Sequence, residues 1–338
     1  MVRHSIMMVL SLSLVVALVL VGGCSGLEVT TTTSGNWTTF AVDKERPRSV
    51  VTTVSQDNLG IIWVSRLEEG LIRFDGSSWE TYTGSACSIS VLCVARDEQG
   101  NLWFGTYGDG VFTHAGQEWQ NFTPGNTGNG LPGTTIQAIL ADNRGNLWFA
   151  TVGSGGEGPP PIDYGVTRYD GTNWTSFLDH TDVETIFQDS DGNMWFGTNV
   201  GVIRYDGSHW QTFTKADGLA DNYVVAICQD NQGNMWFGTW SSGVSRYDGE
   251  NWRTFTPSDG MVSDAMHCML MDSRGDLWFG SYSIDGYHGI SQFNGTQWQN
   301  FDPWQGRSNE YNVSSIFEDN EGNLWFATSF GPVRYNPH

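Results

Sequence analysis

The sequence predicts an all-β protein, a seven-bladed β-propeller of four-stranded blades. Three observations carry the prediction. One phrase, clearest as Asp230-Asn-Gln-Gly-Asn-Met-Trp-Phe-Gly-Thr239, occurs seven times, with its tryptophan at Trp63, Trp103, Trp148, Trp195, Trp236, Trp278 and Trp325. The steps between copies are 40, 45, 47, 41, 42 and 47 residues, so one supersecondary unit is repeated that cannot bury its apolar face alone. Each unit also reads as four short strands parted by turn signals, with no amphipathic helical stretch between copies.

The fifth copy shows the elements in order. Strand A is the run Val224-Val-Ala-Ile-Cys228. The turn Asp-x-x-Gly-Asn follows; its glycine supplies positive φ and its aspartate bonds the turn backbone. Strand B is Met235-Trp-Phe-Gly-Thr239, strand C is Gly243-Val-Ser-Arg-Tyr247, and Asp248-Gly249 is a hairpin signal. Strand D is Trp252-Arg-Thr-Phe255. Aromatic and β-branched residues, which suit a pleated half-buried surface, dominate all four. The last copy has strands A, B and C but stops at His338 without a strand D. The missing phrase stands at the other end, where Gly35-Asn-Trp-Thr-Thr-Phe40 matches Gly249-Glu-Asn-Trp-Arg-Thr-Phe255. Residues Trp37 to Phe40 are therefore expected as the outer strand of the last blade, closing the ring and leaving only short, protected edges.

The repeated Asp-x-x-Gly-Asn-Leu-Trp-Phe-Gly-Thr and Gly-Val-x-Arg-Tyr-Asp phrases, with the Gly130-Leu131 and Gly218-Leu219 signals between blades, resemble the two-component regulator propeller repeat of bacterial sensor proteins. The resemblance covers residues 34–338 and is specific for fold rather than for ligand.

Residues 1–23 are expected to lie outside the fold. Arg3 and His4 precede an apolar run from Ile6 to Val21, and Val21-Gly22-Gly23-Cys24 follows, the layout of a secretory signal. A cysteine after small residues resembles the bacterial lipoprotein signal, which implies lipidation of Cys24; an ordinary signal peptide and an uncleaved anchor remain the alternatives. Ser25 rather than Asp follows, which under the family rule favours an outer-membrane or outward-facing location. Residues 24–33 then form the lipidated cysteine and a polar tether, and 34–338 the propeller. No kinase, DNA-binding or second membrane segment is apparent, so membrane contact is expected through the lipid alone and the protein as a monomer.

The net charge is −21, from 37 acidic against 16 basic residues. Such a surface repels nucleic acid, and basic aromatic signatures are absent. Cys93 and Cys268 hold one strand A register, four before the turn aspartate, occupied elsewhere by Thr53, Ala138, Thr185, Ala226 and Ser315. All are small, so packing is the simplest role; bridges Cys87–Cys93 or Cys228–Cys268 are alternatives in an oxidising compartment. No cysteine or histidine cluster has metal spacing, and no metal or cofactor is expected. Asp189-Ser-Asp-Gly-Asn193 looks like the start of a calcium loop, but its aspartate and glycine recur in every copy as turn residues.

The repeat permits a subtraction. Seven tryptophans are strand B copies and seven are strand D copies, Trp37, Trp79, Trp119, Trp174, Trp210, Trp252 and Trp298. They fill the space between blades. The copies Arg73, Arg168, Arg204, Arg246 and Arg334 serve packing or ion pairs on strand C. Of the 16 tryptophans, Trp240 and Trp304 are left over. Both fall in loops of the top face, where the long segments Val152–Tyr164, Tyr282–His288, Thr123–Thr134 and Asp302–Tyr311 also lie. The position four after each strand B tryptophan reads Leu67, Tyr107, Val152, Asn199, Trp240, Tyr282 and Ser329. Trp240, Trp304, Tyr107, Tyr282, Tyr287, His288, Tyr164 and Tyr223, with Tyr311, are thus candidates for an aromatic-lined mouth. Flat aromatics beside Asp, Asn and Gln suit sugar rings, whose apolar faces stack while their hydroxyls need partners.

The expected function is non-catalytic binding of a glycan or small polar ligand at the cell envelope, feeding a sensory system. A protein-interaction scaffold is the first alternative. A polysaccharide or streptogramin-type lyase is the second: His180, His288, Tyr282, Tyr287 and Glu157 could abstract a proton, but nothing in the sequence gathers them with the spare cations Arg66, Lys215 and Arg307.

Overall fold

The structure is a computed structural model that describes residues 14–18, 29–42, 50–67, 69–82, 90–115, 118–152, 164–282, 289–304 and 312–338. It is the expected propeller. Seven antiparallel sheets form the blades; six run strand A to strand D in sequence order, and the seventh takes its outer strand from the N-terminal part of the chain. The A strands are Val51–Gln56, Val91–Arg96, Ile136–Ala141, Val183–Gln188, Val224–Gln229, Met266–Met271 and Val313–Glu318. They contact one another around the axis.

Strand B (Met235–Thr239 in blade five) is buried along its whole length in every blade, because both of its faces meet a neighbouring sheet. Its aromatic pair therefore works twice. Trp236 packs on Phe255 of its own blade and edge-on against Phe279 of the next. Strand D tryptophans fill the outer wedge: Trp252 meets Phe213 of the previous blade and Phe237 of its own. The Gly-Leu signals belong to the same wedge. A Cβ on Gly218 would lie 2.8 Å from Trp252, and one on Gly130 2.4 Å from Trp174. Four strand C arginines lie over the strand B rings, as Arg204 does over Trp195 at 5.7 Å and Arg334 over Trp325 at 5.8 Å, while Arg73 pairs with Glu80.

The signature Asp and Trp are joined in all seven copies. The indole Nε1–H donates to the turn aspartate six residues earlier, at 2.7–2.9 Å, from Trp63 on Asp57 to Trp325 on Asp319. The other carboxylate oxygen accepts backbone N–H groups of the turn, so one residue fixes both turn and ring. Asp189 is spent in this way on Asn193 and Trp195.

The ring closes as expected. Trp37–Val42 pairs with Gly331–Tyr335, with Trp37 opposite Tyr335 and Thr39 opposite Val333. Phe40 stacks on Trp325 at 5.5 Å and also meets Phe74 and Trp79 of blade one, so it joins the last blade to the first. The tether reading is revised in part. Val29–Ser34 is a strand that pairs with Trp37–Val42 through a Gly35-Asn36 turn, as its β-branched Val-Thr-Thr-Thr-Thr run favours. Leu14–Leu18 pairs antiparallel with Val29–Ser34 at the margin of that sheet.

The Cys228–Cys268 bridge is also revised. Cys93, Cys228 and Cys268 are free thiols, and Cys87 lies outside the described residues. Cys93 and Cys268 approach the next blade's strand A, at the carbonyls of Ile136 and Val313. Burial pushes the Cys93 thiol up to about 12 and raises the other two as well.

Candidate functional site

The site is built from a defect repeated seven times. In every blade the pairing of strand A with strand B skips one residue near the top of strand A. A bulge leaves the extra residue unpaired and re-aims its side chain. The skipped residues are Thr52, Leu92, Gln137, Glu184, Val225, His267 and Ser314, and all seven line a central cavity of about 540 Å³. They form a collar. Toward the A–B turns the wall is first small, the register of Ala138 and Ala226, and then aliphatic, from Val94 and Ile139 to Ile316. The cavity is thus a cup with a mixed collar and an apolar depth.

Above the collar the ladder gains one more rung. The Trp240 N–H donates to the Tyr223 carbonyl at 3.0 Å, and the Tyr282 N–H to the Ala265 carbonyl at 3.0 Å. Leu67, Tyr107, Val152 and Ser329 make the equivalent bond in their blades. This rung carries the register four after each strand B tryptophan to the top rim.

Three predicted residues meet there. Tyr223 and Trp240 face each other across the rung and stack, with centroids 5.6 Å apart and planes 17° apart. Tyr282, from the next blade, packs against Trp240 with centroids 5.3 Å and planes 31° apart. The strip ends on two collar residues. The Tyr223 hydroxyl donates to Glu184 Oε1 at 3.0 Å, and Gln137 Nε2 donates to Glu184 Oε2 at 3.1 Å. His267 stacks under Tyr282 at 6.0 Å, and its Nδ1 lies 3.2 Å from the Ser314 carbonyl. A carbonyl only accepts, so Nδ1 carries the proton and Nε2 of the neutral ring is an acceptor.

Burial sets the charge states. It raises the Glu184 pKa, and the bonds from Tyr223 and Gln137 oppose it. It lowers that of His267, which is walled by protein although solvent reaches the ring through the cup. The Tyr223 phenol is pushed up to about 12 by burial and by Glu184.

The other candidates lie elsewhere. Trp304 is only 8% exposed and belongs to the core between blades six and seven, with Trp278, Val313 and Phe326, and packs on Phe330. Its loop position looked free because no other copy carries a tryptophan there, yet the ring turns inward. Tyr107 is 63% exposed, with no ring partner among the described residues. Tyr164 packs edge-on against His180, away from the strip. Tyr287, His288, Tyr311, Glu157 and Arg307 lie outside the described residues. Glu184, Gln137 and His267 are not among the candidates named from the sequence. Their signal was available: one strand A column reads Thr, Leu, Gln, Glu, Val, His, Ser while its neighbours stay small or aliphatic.

Six stretches, residues 85–108, 130–153, 178–200, 218–241, 260–283 and 306–330, match the family model described as two component regulator propeller. No curated protein matches the sequence. Among solved structures, the extracellular domain of a hybrid two component system from B. thetaiotaomicron is similar at 19% identity and a TM-score of 0.66. The match covers 89% of this chain and 40% of that one. A streptogramin B lyase matches at 15% identity and a TM-score of 0.66, covering 86% of this chain and 94% of its own. YCF48 bound to the D1 peptide matches at 14% identity and 0.65, covering 90% and 98%. At these identities the likeness is one of fold, and one fold hosts a sensor domain, a lyase and a peptide binder.

Proposed function

Taking as premise that the chain carries the two component regulator propeller repeat, we propose that it is an exported, non-catalytic binding propeller. It takes a glycan or another small polar ligand at the top mouth of its central cup. The observation that supports this best is the Tyr223–Trp240–Tyr282 strip, ending on Glu184 and His267 above a cavity of about 540 Å³. Sugar rings have an apolar face to stack and hydroxyls to bond, and the strip with its polar ends offers both. Lipid attachment at Cys24 would hold the cup outward at the envelope. A hybrid sensor's extracellular domain shares this fold, which supports a sensory use. A protein partner is the second reading, favoured by the similar propeller seen with a peptide.

The test is a glycan array with the protein and its Trp240→Ala variant, followed by tryptophan fluorescence titration. Saccharide binding that the variant loses at least tenfold supports the reading. Absence of binding to every glycan, with an envelope protein captured by cross-linking, transfers the site to a protein partner.

A further inference from the structure

The collar's hydrogen-bond ledger is one-sided. The Tyr223 hydroxyl and one Gln137 N–H are turned onto Glu184. The His267 Nδ1–H is turned onto Ser314, and the Thr52 hydroxyl donates to the Val91 carbonyl at 2.5 Å. What these groups leave over is chiefly acceptor capacity, the remaining lone pairs of the Glu184 carboxylate, the Gln137 amide oxygen and His267 Nε2, against the second Gln137 N–H and the Ser314 hydroxyl as donors. Among the described residues, the cup's lining includes one carboxylate and no lysine or arginine. Nearby Lys215 is already held by Asp221 at 3.0 Å. Above the acceptors lies a stacked aromatic strip, whose π-faces attract cations.

An ammonium group matches this arrangement, since it brings three donors, a positive charge and no acceptor. A neutral hydroxyl gains less, because it must also place its own lone pairs among acceptors. From this, and resting on the binding reading above, we propose that the cup selects ligands bearing a protonated amine, with Glu184 as the counter-charge. In glycan terms the ligand is an amino sugar with its nitrogen free rather than acetylated.

The experiment is calorimetry on the full chain at 0.3 M salt, so that attraction to the overall −21 charge is screened. The probes are a glucosamine tetrasaccharide, its fully N-acetylated counterpart and a glucose tetrasaccharide, with phenylethylamine and phenylethanol as a non-sugar pair. The expected result is at least tenfold tighter binding of the glucosamine oligomer than of either neutral oligomer. Glu184→Gln, which keeps the shape and can keep both contacts once the Gln137 amide turns its oxygen toward the new N–H, should bring that preference to within twofold of parity. Glu250→Gln, the same charge change at an exposed C–D turn on the opposite face, should leave it intact. Equal or tighter binding of the neutral oligomers overturns the amine proposal and leaves the glycan reading standing. So does a preference that survives Glu184→Gln. If no saccharide binds but phenylethylamine is preferred over phenylethanol, the glycan reading falls and the amine proposal stands. If no probe binds, both fall.

Discussion

At the scale of single residues, the signature aspartate does two jobs with two oxygens. Asp230 accepts backbone N–H groups of its turn on Oδ1 and the Trp236 indole on Oδ2 at 2.8 Å. The spacing of Asp and Trp is plain in the sequence. That the two are bonded is not, because six residues and a turn separate them. Trp236→Phe keeps most of the ring but strips the N–H, and the buried carboxylate loses a partner. The expected cost is about 1–3 kcal/mol, read by urea unfolding. Trp240→Phe, at the mouth, should leave unfolding within about 0.5 kcal/mol of the parent, as substitutions away from the core usually do. Equal losses at the two sites would show that the indole–aspartate bond contributes nothing of its own. The same contrast explains which site residues were legible. Trp240, Tyr223 and Tyr282 stand out because no blade rule accounts for them. Trp304 passed the same filter and is core, since subtraction identifies residues foreign to the repeat but not the direction a side chain takes.

At the scale of the element, every blade strand was legible because each carries its own period and turn residues, whereas Val29–Ser34 reads as a tether because it stands outside the repeat. The bulge was not. It changes no residue type, only the pairing, and its sequence trace is a column that varies while its neighbours do not. The start of strand C is the opposite case, a place where sequence is tightly constrained. Gly243 has φ +84°, and a Cβ there would stand 2.2 Å from the Phe255 carbonyl oxygen, while the Thr239 hydroxyl donates to the Gly243 carbonyl at 2.8 Å. Gly249, in the C–D turn, has φ +101° with open space around it. Both alanine variants incur backbone strain of about 1–3 kcal/mol. Gly243→Ala adds a clash with backbone, so its melting temperature should fall clearly further than that of Gly249→Ala. A matching fall in both would mean that strain alone accounts for the glycine.

At the scale of the whole molecule, stability should follow acid in two stages. The C–D turn carboxylates Asp75, Asp170, Asp206 and Asp248 lie below their ordinary range because turn N–H groups bond the charged form. For Asp142 burial pushes upward, and the bonds from Trp148, Asn146 and Arg144 outweigh it. The unfolded chain therefore binds more protons, and this stabilisation, complete above about pH 4, is lost as pH falls through the depressed folded values. His267 is depressed by burial, so its contribution is present above about pH 6.5 and fades as pH falls below that. Glu184 runs the other way, its raised pKa withdrawing stability as pH rises. Melting temperature should sag below about pH 6.5 and drop steeply below about pH 4. His267→Gln should remove only the first stage; an unchanged first stage would assign it to other groups. The seam offers a further test. Phe40 is 4% exposed and touches both the last blade and the first, so Phe40→Ala should cost about 3–5 kcal/mol. Protease should then cut at the junction first. The seam also sets a timetable. A chain is made from its N-terminus, yet Trp37–Val42, which pairs on one side with Val29–Ser34, finds its partner in the last blade only in Gly331–Tyr335. Six blades can form while synthesis continues, but the blade-facing edge of that strand stays unpaired until Gly331–Tyr335 has emerged. A copy cut short before Gly331 would be left as an open horseshoe, with Trp37 and Phe40 lacking their partners in the last blade, so the joint locks only once the seventh blade exists.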